Sequence, residues 1–244
     1  MVGLKTSTSE KYVYMFVFFF GLVALVLSVQ RGVKFDKRLE FFDVRSEFKP
    51  SVVLIGDSIL KNNMYVGKGK AVDDLLEEKF TGNVYNLAED NSKIVDVYTQ
   101  MQLIPKELDH QSTYIFVSVG GNDILDRYVY ENTNTDNTMP LYKMFIHYKT
   151  LIQHLRNKIP KAKIILMNIY YPKSSKYQSY LDTIKKWNEL LDEFSADPIN
   201  KISDILILST IMTNKNDFSF SIEPSEEGSI KIVKGILNIV EAYN

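Results

Sequence analysis

Four short stretches of this 244-residue chain carry the side chains that could do chemistry. They are Gly56-Asp57-Ser58-Ile59, Asn86-Leu87-Ala88-Glu89-Asp90-Asn91, Gly120-Gly121-Asn122-Asp123 and Ile222-Glu223-Pro224. A serine hydroxyl becomes a nucleophile once a base takes its proton. An asparagine amide and backbone N–H groups can hold a developing oxyanion. Glycines beside them let two backbones approach closely. Ser58 and Asn122 therefore supply the inventory of an acyl-transfer site. Asp57 and Asp123 read as caps or loop braces, since Asp at such positions binds nearby N–H groups.

These stretches need elements to position them. Ser51–Gly56 is a short β-branched run that reads as a buried strand, and Asn83–Leu87, Thr113–Val119, Lys163–Tyr170 and Asp204–Leu208 read as four further strands. Between them, Ala71–Phe80, Ile94–Leu108, Asp123–Tyr130, Leu141–Ile159 and Lys176–Phe194 carry helical spacing, with Pro105 breaking or kinking the second. Ser225–Tyr243 forms a terminal helix, with Glu226 and Glu227 favourably placed in its first turn. Alternation of this kind predicts a flavodoxin-like, three-layer α/β/α fold around a five-stranded parallel sheet. Ligands of such sheets bind beyond the carboxyl ends of the strands, which is where the first three stretches fall. The polar segment Asn132–Thr138 and the stretch Tyr171–Tyr180 come after the third and fourth strands and are expected to shape the cleft.

The order GDSI, NLAEDN, GGND, IEPSEEG resembles the SGNH (GDSL-type) hydrolase family, over a span from about Ser51 to the C-terminus. The resemblance implies ester hydrolysis without a cofactor, on small-molecule, glycan or lipid esters. It implies Ser58 as nucleophile and an oxyanion hole made by the Ser58 amide, the backbone N–H of Asn91 and the Asn122 side chain. Asn91 stands where the family has glycine, a mild change because Asn tolerates left-handed backbone. The second departure is larger. Glu223 occupies the position of the catalytic histidine, and Phe220 that of its aspartate partner, with Asp217 nearby but out of register. The three histidines, His110, His147 and His154, lie far from this motif in the chain. Glu223 is then the candidate base, its weak basicity raised if Phe218, Phe220 and Ile222 bury it. The alternative is an inactive member that binds a ligand or serves a structural role.

Composition narrows the remaining classes. A formal net charge of −1 argues against a nucleic-acid surface. Cys is absent, which excludes disulfides, thiolate metal sites and a cysteine nucleophile. No His/Asp cluster has ligand spacing, so no metal is expected. The Gly120-Gly121 pair lacks the rest of a dinucleotide fingerprint.

The run Tyr12–Val29 carries no charge. As a helix rising about 1.5 Å per residue it would just cross a bilayer core. It is read as a single transmembrane anchor, after a tail (1–11) and before a juxtamembrane linker (30–50) and the hydrolase-like domain (51–244). A cleaved signal sequence is the other reading of this run. Lys5 and Lys11 before the span and Arg31, Lys34, Lys37 and Arg38 after it favour a cytoplasmic domain by the positive-inside rule. Single N-terminal anchors often export the domain behind them, so the side of the membrane stays open.

Overall fold

The computed structural model describes residues 48–131 and 138–243. The anchor expected at 12–29, the linker before Phe48 and loop residues 132–137 lie outside the described residues. No helix among the described residues is long and apolar enough to cross a membrane. The fold lies within the compact unit Lys49–Asn244.

Five parallel strands form one sheet: β1 (Ser51–Gly56), β2 (Asn83–Asn86), β3 (Thr113–Ser118), β4 (Lys163–Met167) and β5 (Asp204–Leu206), in the order β2-β1-β3-β4-β5. Every residue of β1 and β3 is buried, as a strand covered on both faces requires. Successive strand residues point to opposite faces. Val52, Leu54, Tyr114, Phe116, Ile165 and Met167 form one core with α1 (Val72–Lys79) and the last helix, Glu226–Ala242. Against the other face lie α2 (Ile94–Gln102), α3 (Gly121–Glu131), α4 (Thr138–Lys158) and α5 (Leu181–Ala196). Phe145, Tyr148, Trp187 and Phe194 bring their rings together where α4 meets α5.

The chain leaves β1 to one side for β2, then returns to the other side for β3. The β1/β3 boundary is therefore the point where strand order reverses, and a crevice opens beyond its carboxyl end. Gly56–Ile59 and Gly120–Asp123 stand at that crevice.

Several expected boundaries move. The helix read over Ile94–Leu108 stops at Gln102, and Lys106–Leu108 forms a separate 3-10 turn. Pro105 disfavours helical backbone at Ile104, so the helix cannot run through it. The fourth strand ends at Met167 rather than Tyr170. Asn188 takes over the backbone of Ile169, accepting from its N–H at 2.9 Å and donating to its carbonyl at 2.7 Å. The fifth strand ends at Leu206, because Asn168 Oδ1 accepts from Ser209 N–H at 3.0 Å and the chain coils into α6 (Leu208–Ile211). The helix expected from Lys176 begins at Leu181, after a 3-10 turn over Ser175–Tyr180 that Ser174 caps. A two-stranded hairpin, β6 (Phe218–Ser219) and β7 (Glu223–Pro224), precedes the terminal helix α7 (Glu226–Ala242). Periodicity cannot register strands so short.

Candidate functional site

Ser58 lies in a tight turn rather than at a helix start. The N–H groups of Leu60 and Lys61 both donate to the Asp57 carbonyl at 3.1 Å, and α1 begins only at Val72. Gly56 has φ 132°, and a Cβ there would sit 1.7 Å from the Ser118 carbonyl oxygen. Only glycine lets β1 and β3 converge so closely. Asp57 is buried and braces both sides of the convergence. Its Oδ1 accepts from Ile59 N–H at 3.2 Å and from the Ser118 hydroxyl at 3.0 Å. Burial raises its carboxyl from the usual 3.8 to about 7; the two hydrogen bonds pull it down, and the charges of Glu223 and Asp123 push it up.

The second stretch is pinned to the first by Gln100, a buried residue of α2. Its side chain accepts from Gly56 N–H at 2.7 Å and donates to the Gly56 carbonyl at 2.8 Å and to Ser92 Oγ at 3.0 Å. Asn91 has φ 60°, so it does adopt the left-handed backbone expected where the family has glycine. Its side chain is exposed and donates to Asp90 at 2.9 Å. The third stretch reaches the same loop. Asn122 Nδ2 donates to the Ser92 carbonyl at 3.0 Å, which spends one amide hydrogen and fixes the direction of the other. Asp123 accepts from Ile94 N–H at 3.1 Å, the bracing role expected of it. A side chain at Gly120 is excluded by the Trp187 ring, 2.5 Å from where its Cβ would be.

Glu223 reaches Ser58 from the hairpin. Ser58 and Glu223 line the same cavity, and Glu223 Oε2 is buried without a partner. Burial raises the Glu223 carboxyl above its usual value, the Ser58 side chain lowers it, and the charge of Asp90 raises it. Phe220 contributes nothing to that burial, contrary to expectation. It is 75 % exposed at the hairpin tip, with its ring against Tyr65. The hairpin is anchored from two sides. Tyr170 Oη donates to the Ile222 carbonyl at 2.7 Å. The Asn62 amide donates to the Pro224 carbonyl at 3.2 Å and to Ser229 at 2.6 Å, while its oxygen accepts from Val72 N–H at 2.9 Å. Asn62 thus ties the Ser58 turn to a segment 162 residues away.

Asp217 faces away from this arrangement, paired with Lys231 at 2.7 Å and accepting from Asn214 N–H at 2.8 Å. None of the three histidines lines the site. His110 Nδ1 accepts from Ser112 N–H, and His147 and His154 are exposed on α4.

Ser58, Asn122 and Glu223 line one cavity, together with Asp57. Pro172, Tyr177 and Tyr180 wall it, as expected of the stretch after the fourth strand. Asn91 is not among the lining residues. Among the described residues, no group of three or more His, Asp or Glu is placed to hold a metal ion. Gln100 and Asn62 escape sequence reasoning. Each stands among other polar residues, with no spacing that marks its partner.

Sheet order and crevice define an α/β protein of flavodoxin-like topology, with its polar site at the strand-order reversal. The chain belongs to the GDSL-like lipase/acylhydrolase family, whose profile matches residues 54–229 and so spans all four stretches. Solved structures share the fold. A lipolytic protein of the G-D-S-L family from Veillonella parvula is 18% identical, with a TM-score of 0.58 over 77% of this chain and 96% of its own. A GDSL-like lipase from Bacteroides thetaiotaomicron is 15% identical, with a TM-score of 0.57 over 79% of this chain and 88% of its own. Phospholipase A1 from Streptomyces albidoflavus is 13% identical, with a TM-score of 0.56 over 80% of this chain and all of its own. A search of curated protein sequences finds no match.

Proposed function

We propose that this chain is a serine ester hydrolase that uses Glu223 as its base. The observation that carries the reading is that Ser58, Asn122 and Glu223 line one cavity, with the Ser58 side chain among the groups that act on the Glu223 carboxyl. Ser58 Oγ attacks the acyl carbon while Glu223 takes the hydroxyl proton. The Asn122 amide and the backbone N–H of Ser58, both on residues that line the cavity, receive the oxyanion. Collapse breaks the ester C–O bond, and Glu223 returns the proton to the leaving alcohol. Water then attacks the acyl-serine with Glu223 again as base, releasing the acid and restoring Ser58–OH. Burial favours this use of a carboxylate, since a raised pKa makes a stronger base.

A fluorophosphonate should label Ser58, and short acyl esters should be turned over. Ser58→Ala should abolish both. Absence of labelling and of turnover from about pH 5 to about pH 9 refutes the hydrolase reading.

The exposure of Phe220, where the family carries an acid, favours a second reading: a cleft that binds an acylated ligand without cleaving it. That reading predicts thermal stabilisation by the ligand with no product formed. In either case the charge-free run 12–29 tethers the domain to a bilayer. Retention of the chain in membranes through an alkaline wash, and release by detergent, tests the tether.

A further inference from the structure

The space beside Ser58 opens to solvent on one side and is small, and its size bears on the acyl group. Its volume is about 50 Å³. On the same measure, an engineered apolar cavity of roughly 150 Å³ holds benzene. Space a third as large holds only a few carbon atoms beyond the carbonyl that Ser58 would attack.

The walls are apolar and rest on fixed supports. Ile124, Ile169, Tyr177 and Ile184 line the space and are all at least nine-tenths buried. Asn188 binds both backbone groups of Ile169, so that wall cannot slide along the sheet. Tyr177 packs on Tyr180, the two ring centroids 6.2 Å apart, in the 3-10 turn that leads into α5. Widening the space would require moving a packed core, and interiors of this density resist that. Asp57 also lines the cavity, so a second carboxylate entering it would meet a carboxyl group already there.

Resting on the reading of Ser58 as nucleophile, we propose that this pocket takes the acyl side of the ester and admits only short uncharged acyl groups of about two to four carbons. The alcohol side, whether glycan or lipid, stays at the mouth. Selectivity then comes from Ile184 and Tyr180, which line the space.

The test holds the leaving group constant and varies the acyl chain. The full-length protein is assayed with p-nitrophenyl acetate, butyrate and octanoate, and with a succinyl half-ester. The expected kcat/KM falls at least about tenfold from butyrate to octanoate, since each methylene that cannot be housed carries a large discrimination. The succinyl ester should lag butyrate by a similar factor. Tyr180→Ala should move the preference toward octanoate; because Ile184→Ala removes a core side chain, half-buried Tyr180 is the variant of choice, with Ile184→Val as the milder second. Octanoate turned over as fast as acetate by the wild type overturns the inference alone, as does a Tyr180→Ala profile that does not move. No turnover of any ester, with Ser58 unlabelled, overturns the hydrolase reading and this inference with it.

Discussion

Asp57→Asn separates a buried charge from the hydrogen bonds made by the same side chain. Asparagine retains one oxygen, able to accept from Ile59 N–H and the Ser118 hydroxyl as Asp57 Oδ1 does. The substitution removes the titration and exchanges Oδ2 for an amide NH2, whose effect does not depend on pH. Burial lifts the Asp57 carboxyl from 3.8 to about 7 in the folded chain. Between those values the folded protein holds a proton that the unfolded chain has released. Stability from this group is therefore complete below the unfolded value and is lost as pH rises through about 7. At about 1.4 kcal/mol per pH unit the whole loss is on the order of 4 kcal/mol, of which about 3 kcal/mol falls between pH 5 and pH 8. For a domain of this size that corresponds to roughly 6–12 °C in Tm. Denaturant titrations of wild type and Asp57→Asn at both pH values supply the measurement. The variant should gain on the wild type by about 3 kcal/mol on going from the lower pH to the higher. Glu223 and other groups titrate in both proteins, so the comparison isolates Asp57. A stability difference that is the same at both pH values would refute the argument, because Asp57 would then be charged throughout.

Two further outcomes rest on the same geometry. Glu223 acts as a base only when ionised, so kcat/KM should rise with pH along an acid limb above the usual glutamate value; Glu223→Gln should cost about 10²–10⁴-fold, and Asp90→Asn should move the limb to lower pH, since the Asp90 charge is one cause of the upward shift. Gln100→Ala strands the buried Gly56 N–H and should cost about 2–4 kcal/mol in denaturant titration, with a fall in esterase kcat, because the same side chain holds the Ser92 loop on which Asn122 rests.

The sheet is legible because a strand buried on both faces has few ways to be written. SVVLIG and TYIFVS are mostly β-branched, aliphatic or aromatic, and the structure buries every residue of both. The ends of β4 and β5 are not legible, since they are set by Asn188 and Asn168, side chains that capture backbone groups from distant segments. The same holds at the candidate site. Ser58, Asn122 and Glu223 stand out by their order and by their place in the pattern of strands and helices. The residues that hold them there, Gln100 and Asn62, act across 44 and 162 positions of chain. Nothing local in the sequence encodes such partners. Phe220 departs from expectation for a related reason. Its hydrophobicity suggests burial, but a hairpin tip turns it outward at φ 46°.

Beside Asn91, the motif resemblance implies two further departures, Glu223 for histidine and Phe220 for aspartate, and under the proposed chemistry these reduce to one. A histidine base has two ring nitrogens, and it needs a neighbouring carboxylate to fix the tautomer and to stabilise the imidazolium that forms. A carboxylate base is neutral once it takes a proton. It forms no cation that needs a counter-charge and no tautomer that needs fixing. Replacing the histidine therefore removes the reason to keep an acid at 220. The position becomes free to serve the turn instead. Phe220 and Ser221 take φ of 46° and 75°, a conformation costly to residues with a side chain. That turn closes the hairpin with a bond from Ile222 N–H to the Ser219 carbonyl at 3.2 Å. The next residue is Glu223, and Asn62 holds Pro224 after it. Backbone strain at the tip is thus spent on aiming the carboxylate, and the anchoring by Asn62 and Tyr170 keeps it aimed. It follows that restoring the acid alone, as Phe220→Asp, should not raise turnover. Glu223→His should gain activity only when that acid accompanies it, and equal turnover by the single and double variants would break this coupling.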